Sequence, residues 1–272
     1  MSSTRSDRIA EFRKAVLEYY RKHGRHDLPW RKTRDPYRIL VSEIMLQQTQ
    51  VDRVIPFYRA FLKQFPTAKA LAAAPLKDAL SAWQGLGYNR RAKMLHEAAK
   101  QIANGGFPKV IFEIERLRGA GSYTARAVAA FAFNEDVIFI ETNIRTAVMH
   151  HFFPKKKAVS DTEMLAILKR AFPSGNAREW YSALMDYGAH LKRSGVRTNH
   201  RVKGYAKQAK FDGSLRQARG AILRALLAGP QPAARLVSVL GTEREPQAKA
   251  AIASLAKEGL IEIARSRFRL PR

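Results

Sequence analysis

The chain has 272 residues, with 49 Lys and Arg against 23 Asp and Glu, a formal net charge of +26 and no cysteine. The lack of cysteine excludes disulfides, thiolate zinc sites, cysteine-ligated iron–sulfur clusters and cysteine nucleophiles. With 46% apolar residues, the chain can build the core of one large or two modest domains. Its surplus of positive charge favours a nucleic acid as partner, and a generally basic proteome or an anionic membrane surface is the alternative.

The start of the chain, MSSTRSDRIAEF, lacks the apolar run of a secretory signal. No window approaches the roughly 20 apolar residues of a membrane span. We therefore expect a cytoplasmic protein with no membrane partner, associated with the nucleoid if the source is bacterial.

Apolar residues recur at helical spacing along most of the chain, and alternation typical of strands is scarce before residue 258. Prolines and glycines divide the pattern into many short helices, so the predicted fold class is all-α. The first predicted domain covers residues 1–189. A basic connector with little helical patterning follows at residues 190–212.

Residues 213–272 form a separate unit in the sequence, with 11 Lys and Arg against 4 Asp and Glu. The pattern predicts three helices and then a strand pair, at residues 215–227, 233–240, 246–258, 260–264 and 267–270. Three helices closed by a hairpin are typical of a winged-helix unit. Such a unit either contacts DNA or only packs against the rest of the chain.

A Gly-x-Gly turn joins two predicted helices in LRGAGSYTA, residues 117–125. Gly119 and Gly121 permit a tight turn, and the helix that follows, up to Phe133, offers N–H groups and a positive dipole end to an anion. An ordinary αα-hairpin explains the same pattern. In a basic, all-α chain the pattern favours a helix-hairpin-helix that clamps a DNA phosphate.

Glu141 ends an apolar run at the predicted start of a helix. It is either a helix cap or a site carboxylate whose charged form the helix dipole favours. Thr142 and Asn143 are the other candidates for the cap. The choice between cap and site stays open at this point.

Glu43 follows Ile39 and Leu40 by one helical turn, and the polar run QQTQ at residues 47–50 comes directly after Leu46. An apolar setting favours a protonated carboxyl, which can act as a proton donor, whereas a surface glutamate is the simpler interpretation. The polar run is suited to base edges or to a gap in a base stack.

Eight segments resemble the MutY-type adenine DNA glycosylases of the helix-hairpin-helix superfamily. They are LPWR, PYRILVSEIMLQQTQVDRVIPFY, FPT, WQGLGYNRRAKMLHEAA, GGFP, LRGAGSYTARAVAAFAF, ETNIRTAV and MDYGA, and they occur in the family's order over roughly residues 8–190. The resemblance implies the helix-hairpin-helix glycosylase fold and base excision from double-stranded DNA. We expect the protein to act as a monomer.

The resemblance also implies a catalytic role at each matching position. Glu43 protonates the adenine leaving group, and Glu141, with Asn143 after it, stabilises the sugar cation. Paired carboxylates of this kind suit an oxocarbenium-like transition state. Tyr123 stands where bifunctional relatives keep a Schiff-base lysine, so a monofunctional enzyme without strand cleavage is implied.

The predicted DNA-binding residues belong to the wedge around the flipped base, the hairpin and the basic connector. They are Leu46, Gln47, Gln48, Thr49, Tyr88, Arg90 and Arg91 in the wedge, Gly119, Gly121, Ser122 and Thr124 in the hairpin, and Lys192, Arg193, Arg197 and Arg201 in the connector.

Three departures from the family pattern bear on substrate and cofactor. Glu141 stands where the family has Asp, and the extra methylene moves the carboxylate by about 1 Å, which costs about 10²-fold in rate or suits another nucleotide. The four cysteines of the family's iron–sulfur cluster are missing, and a basic tract occupies their place. No cofactor is therefore expected, apart from a monovalent cation at the hairpin. The family's 8-oxoguanine-recognising domain is replaced by the winged-helix-like unit.

The sequence thus predicts a monofunctional DNA glycosylase of base excision repair, with adenine as its first target. A second hypothesis is the removal of another base, such as thymine from a G·T mismatch or a modified or cross-linked base. A third is a DNA-structure-binding protein that has lost the chemistry.

Overall fold

The computed structural model describes residues 5–198 and 210–271, which are predominantly helical. In chain order the α-helices are Arg5–His23 (α1), Pro36–Leu46 (α2), Val51–Gln64 (α3), Ala68–Ala73 (α4), Leu76–Ala82 (α5), Arg90–Gly105 (α6), Ile111–Glu115 (α7), Ser122–Val128 (α8), Thr142–Phe152 (α9), Asp161–Ala171 (α10), Ala177–Arg193 (α11), Leu215–Leu227 (α12), Ala233–Ser238 (α13) and Glu245–Lys257 (α14). A π-helical turn, Ala129–Phe133, extends α8 to the predicted end of that helix. None of the helices in the described ranges has both the length and the apolar character of a membrane span.

The strands of the described chain are Glu262–Ala264 (β1) and Arg267–Arg269 (β2), which pair antiparallel as a hairpin. They follow α12, α13 and α14 in the predicted order. The all-α class with a small C-terminal strand pair is therefore confirmed. Helix α11 continues into the predicted connector as far as Arg193, because basic residues in a last helical turn interact favourably with the helix dipole.

The described residues form two compact units, each assembled from three segments of the chain. The first unit takes residues 5–40, 109–115 and 120–198, and the second takes residues 41–108, 116–119 and 210–271. The division into domains at residues 1–189, 190–212 and 213–272 stays a prediction.

The core of the first unit lies among α1, α9, α10 and α11 and includes the fully buried rings of Trp180 and Tyr181. The Tyr181 hydroxyl donates to the Val137 carbonyl at 2.7 Å and accepts from the Phe139 N–H at 3.1 Å. The ring of Phe139 also stacks on that of Tyr181, with centroids 3.8 Å apart. These contacts fix the apolar segment that leads to Glu141.

The MDYGA segment belongs to α11, and its residues Asp186 and Gly188 make the contacts that hold this helix in place. A Cβ on Gly188 would lie 2.0 Å from the carbonyl oxygen of Asn143, so α11 meets the start of α9 backbone to backbone. Asp186 is 2% exposed and accepts hydrogen bonds from the Arg25 backbone N–H at 2.7 Å and from the Arg31 guanidinium at 2.6 and 2.9 Å. The segment therefore fixes both the position and the approach of α11.

The second unit has the buried rings of Phe61 and Trp83 in its core. A bidentate ion pair joins α12 to the end of α14. Arg219 of α12 donates to both carboxylate oxygens of Glu258, which directly follows α14, at 2.7 and 2.6 Å. Lys93 of α6 donates to the Glu258 carbonyl at 2.7 Å. Helices α12 and α14 are thus tied to α6 within this unit.

Candidate active site

Glu141 directly precedes α9, and its own side chain caps the helix. Its Oε1 accepts from the backbone N–H groups of Asn143 and Ile144, both at 2.8 Å, and its Oε2 accepts from the Asn143 side-chain amide at 3.3 Å. Two N–H groups that a helix start leaves unpaired are satisfied in this way, and the helix dipole favours the charged carboxylate. The cap is thus Glu141, and not Thr142 or Asn143.

Burial and neighbouring charges act on the Glu141 carboxyl in opposite directions. Its pKa is raised on balance, because burial outweighs the lowering by the N–H groups of Asn143 and Ile144 and by the charges of Lys192 and Arg145. Lys192, in the last turn of α11, donates from Nζ to Asn143 Oδ1 at 2.7 Å. The structure therefore brings Glu141, Asn143 and Lys192 into one hydrogen-bonded group.

Tyr123 lies in the first turn of α8 and is half-buried. Its ring is 5.7 Å from that of Phe139 and nearly perpendicular to it, at 80°. Phe139 belongs to the segment that leads to Glu141. Tyr123 is therefore packed against the same segment as the carboxylate, within the first unit.

One of the two glycines of the predicted hairpin, Gly119, has the left-handed backbone that favours glycine, whereas Gly121 is extended. Gly119 has φ +83°, and a Cβ there would also approach a side-chain carbon of Met94 to 3.0 Å. Gly121 precedes α8 and provides no side-chain cap. Ser122 is exposed at the start of the helix, whereas Thr124 is 2% exposed and belongs to the interior.

Arg91 is a buried cation that holds the loop after α2. Its Nη1 donates to the carbonyls of Ile44 and Met45 at 2.9 and 2.8 Å, and its Nη2 donates to the Gly87 carbonyl at 3.0 Å and the Thr49 hydroxyl at 3.1 Å. Burial lowers the pKa of Arg91 to about 10, which leaves it charged at neutral pH. Its place among carbonyls gives Arg91 a structural task, and its contact with DNA stays a prediction.

The two loops tied by Arg91 each contain a non-glycine residue in the left-handed conformation. These residues are Gln48, with φ +58°, and Tyr88, with φ +51°. Such conformations cost about 1–3 kcal/mol each and persist where the surroundings enforce them, often at ligand sites. Leu46, Gln47 and Thr49 lie half-buried beside Gln48, and Arg90 is exposed after Tyr88.

Arg216 of α12 reaches the same loop, although the sequence did not single it out. Its Nη1 donates to the Tyr88 hydroxyl at 2.7 Å, and its guanidinium carbon lies 5.1 Å from the centre of the Tyr88 ring. Gln48, Tyr88 and Arg216 line a cavity of about 350 Å³, together with Arg219. The sequence signal for such a contact is the net positive charge of residues 213–272, and this charge does not identify the arginine that contacts Tyr88.

A sequence profile described as HhH-GPD superfamily base excision DNA repair protein matches residues 41–174. The adenine DNA glycosylase of Mycolicibacterium smegmatis is 37% identical over 270 residues, which cover 91% of each chain. The adenine DNA glycosylase of Mycobacterium tuberculosis is 35% identical over 284 residues, covering 94% of this chain and 92% of the relative. The chain belongs to the HhH-GPD superfamily of base excision DNA repair proteins. The predicted resemblance is confirmed.

Solved structures agree with this assignment to the HhH-GPD superfamily. A thermostable thymine-DNA glycosylase is 26% identical with a TM-score of 0.59, over 67% of this chain and 86% of that one. An endonuclease III trapped with DNA in a covalent intermediate is 19% identical with a TM-score of 0.56, over 72% of this chain and 89% of that one. The second likeness concerns the fold alone, and the predicted helix-hairpin-helix glycosylase fold is confirmed.

The remaining predicted residues of this HhH-GPD protein are distributed as follows. Glu43 is 6% exposed on α2 in the second unit, and Glu141 belongs to the first. Their action on one nucleotide stays a prediction. Arg193 and Arg197 are exposed, whereas Arg201 lies outside the described residues.

The residues of this chain do not fit the iron–sulfur cluster that the HhH-GPD resemblance implies. The chain has no cysteine to supply thiolate ligands. After MDYGA, where the family pattern places its cysteines, Lys192 donates an ammonium hydrogen bond to Asn143, and an ammonium has no lone pair for a metal. No group of three or more His, Asp or Glu in residues 5–198 and 210–271 is arranged to hold a metal ion.

Proposed function

We propose that this protein is a monofunctional adenine DNA glycosylase that binds double-stranded DNA as a monomer, flips a mispaired adenine and hydrolyses its N-glycosidic bond. The observation that carries the proposal is the anchored carboxylate of Glu141 at the start of α9. Support also comes from two mycobacterial relatives named adenine DNA glycosylase, each aligned over more than nine tenths of this chain. For this activity the protein would work on chromosomal DNA, in the cytoplasm and associated with the nucleoid if the source is bacterial.

Glu141 is the proposed partner of the sugar cation. Breaking an N-glycosidic bond leaves positive charge on the deoxyribose, and a fixed anion beside it stabilises the transition state. The two backbone N–H groups that hold Oε1 keep the carboxylate from turning as this charge develops. The carboxylate is therefore preorganised for the step in which the base leaves.

Glu43 is the proposed proton donor to the departing adenine. It lies almost fully buried on α2, with the apolar side chains of Ile44 and Met45 next to it in the chain. Adenine leaves more readily as a protonated base, so a positioned acid lowers the barrier by general acid catalysis. This role follows the resemblance of the VSEIMLQQTQV segment to its family.

The proposed DNA contacts are the two loops around Gln48 and Tyr88, the hairpin, and the exposed Arg193 and Arg197 at and after the end of α11. A flipped base costs a few kcal/mol of unstacking, and amide or aromatic side chains that fill the gap offset this cost. The left-handed backbones of Gln48 and Tyr88 lie on loops joined by the buried Arg91. The wedge is therefore held before DNA arrives.

The proposed reaction ends at base release, because Tyr123 replaces the lysine that forms a Schiff base in bifunctional relatives. Hydrolysis of this kind uses water and the two carboxylates, so we propose no resident cofactor and allow a monovalent cation at the hairpin. A borohydride-trapped protein–DNA adduct would contradict the monofunctional assignment.

Thymine in a G·T mismatch is the second candidate substrate. It is favoured by the likeness to the thermostable thymine-DNA glycosylase and by the glutamate at position 141. The longer side chain moves the carboxylate by about 1 Å relative to the sugar, a shift that would suit a nucleotide other than adenine.

The test is a panel of duplexes containing adenine opposite 8-oxoguanine or guanine, thymine opposite guanine, and uracil, each incubated with the full chain. We expect breaks at adenine that appear only after treatment with alkali, because an abasic site is alkali-labile. Breaks without alkali would contradict the monofunctional assignment. Release of thymine alone would transfer the proposal to the second substrate, and no release with tight duplex binding would favour a binding protein.

A further inference from the structure

Lys192 lies one helical turn after Gly188, so the two residues occupy the same face of α11. Because Gly188 has no side chain, this face of α11 meets the Asn143 backbone directly. One turn later the Lys192 side chain reaches the Asn143 amide, with Nζ 2.7 Å from Oδ1. The close approach of two backbones thus brings a cation next to the start of α9.

Asn143 connects this cation with the carboxylate of Glu141. Its Oδ1 accepts from Lys192, and its Nδ2 donates to Glu141 Oε2 at 3.3 Å. A side-chain amide accepts at one end and donates at the other, so an ammonium on the oxygen side requires that the donating end faces the carboxylate. Lys192 therefore fixes the orientation in which Asn143 supports Glu141.

The charges around this group single out Lys192. Lys192 on α11 and Arg145 on α9 are the cations that act on Glu141 among the described residues. Arg145 also forms an ion pair with Asp161 at 2.5 Å, and this carboxylate neutralises the charge of Arg145. For Lys192, Glu141 is the charged group that acts on the ammonium.

We propose that Lys192 is a positioning residue for base excision, which keeps Glu141 ionised and aimed through Asn143. The inference rests on the proposed function, in which Glu141 faces the sugar cation. It assigns Lys192 to the interior of the site, whereas the basic run in the sequence suggested a phosphate contact. Lys192 forms no bond to the substrate in this role.

The test compares three variants in single-turnover base release at saturating enzyme, measured across the acid and neutral pH range. Lys192→Met removes the ammonium, and Lys192→Arg keeps a cation. Lys169→Met is the matched control, because Lys169 is an exposed lysine on α10 of the same unit. Thermal unfolding of each variant establishes that it is folded.

We expect Lys192→Met to slow base release by about 10- to 100-fold, the range produced by loss of a supporting partner or by a small misplacement. The acid limb of its pH–rate profile should move up by about 1 pH unit, because removal of an opposite charge favours the protonated carboxyl of Glu141. Lys192→Arg should recover most of the rate, and duplex affinity should change no more than in Lys169→Met. An unchanged rate and acid limb, or weaker binding as the only effect, would overturn the proposal.

A second readout needs no activity. In protein labelled with ¹³C at the glutamate carboxyls, the Glu141 signal is assigned by its loss in Glu141→Gln, and its titration is compared in wild type, Lys192→Met and Lys169→Met. We expect a higher pKa for Glu141 in Lys192→Met alone, and equal titrations would overturn the proposal. If the wild type releases no base, the proposed function fails, and this titration still decides the role of Lys192.

Discussion

Two carboxylates of the first unit, Asp186 and Glu141, are both anchored by several hydrogen bonds but differ in their charge balance. Burial opposes the charge of Asp186, yet the hydrogen bonds and charges of Arg31 and Arg25 prevail and lower its pKa. Burial prevails at Glu141 and raises its pKa, because its anchors are mostly backbone N–H groups. The carboxylate of Asp186 is neutralised by two arginines and serves packing. The carboxylate of Glu141 is held mostly by neutral N–H donors, so its negative charge is available to the cation that forms on the sugar during the reaction.

The largest effect on stability is expected from Asp186→Asn. The substitution leaves Arg25 and Arg31 beside a neutral, buried amide, and breaking such a pair costs about 3–5 kcal/mol in the free energy of unfolding. Base release per folded molecule should stay near the wild-type value, because Asp186 acts on packing. Urea unfolding measures the change.

Glu18→Gln is the matched control for Asp186→Asn, since it breaks the exposed pair of Lys14 and Glu18 on α1. An exposed pair on one helix contributes about 0.5 kcal/mol or less. Equal destabilisation by the two substitutions would remove the distinction between Asp186 and a surface carboxylate.

Because the pKa values of Asp186 and Glu141 are shifted in opposite directions, we expect stability and activity to be lost at different pH. The pKa of Asp186 is lowered in the folded state, so its contribution to stability is present above the unfolded value of 3.8 and is lost as pH falls through the still lower folded pKa. The pKa of Glu141 is raised, so the reactive anion is lost at a pH above the ordinary value of 4.5. We therefore expect a range of mildly acidic pH in which the chain is folded but releases the base slowly.

This range is measured by recording circular dichroism and single-turnover base release on the same samples as pH falls. We expect the rate to decline first, while the helical signal is retained. Simultaneous loss of the rate and the helical signal would mean that unfolding, and not protonation of Glu141, ends the activity.

The smallest effect is expected from Arg216→Met in the second unit. Loss of one hydrogen bond to Tyr88 removes about 1 kcal/mol of support for that loop. Duplex affinity should therefore weaken by about 5-fold in an equilibrium titration. Arg235→Met removes an exposed arginine of α13 and should have less effect, so equal losses would point to overall charge instead of support for Tyr88.

Much of the fold could be predicted from the sequence where local chemistry decides the structure. The apolar run that ends at Glu141 predicted the start of α9, and the Gly-x-Gly turn predicted the start of α8, because caps and left-handed glycines act within a few residues. The order of α12, α13, α14 and the strand pair followed from periodicity and turns for the same reason.

Contacts between distant segments could not be predicted in this way. Lys192 was assigned to phosphates because its sequence neighbours are basic, and its partner Asn143 lies 49 residues away. Arg216 lies 128 residues from Tyr88. The role of Gly188 depends on a backbone approach that exists only after α9 and α11 have packed.

The most direct test of the role of Glu141 is the rate of adenine release by Glu141→Gln at saturating enzyme, with duplex affinity and thermal unfolding measured on the same protein. Glutamine keeps the size and an accepting oxygen for the cap but removes the negative charge. We expect the rate to fall by about 10³-fold, the upper end of the range for loss of one group that stabilises charge in the transition state, while affinity stays within a few-fold of wild type. A variant that releases adenine at nearly the wild-type rate would contradict the assignment of Glu141 as the anion that stabilises the sugar cation.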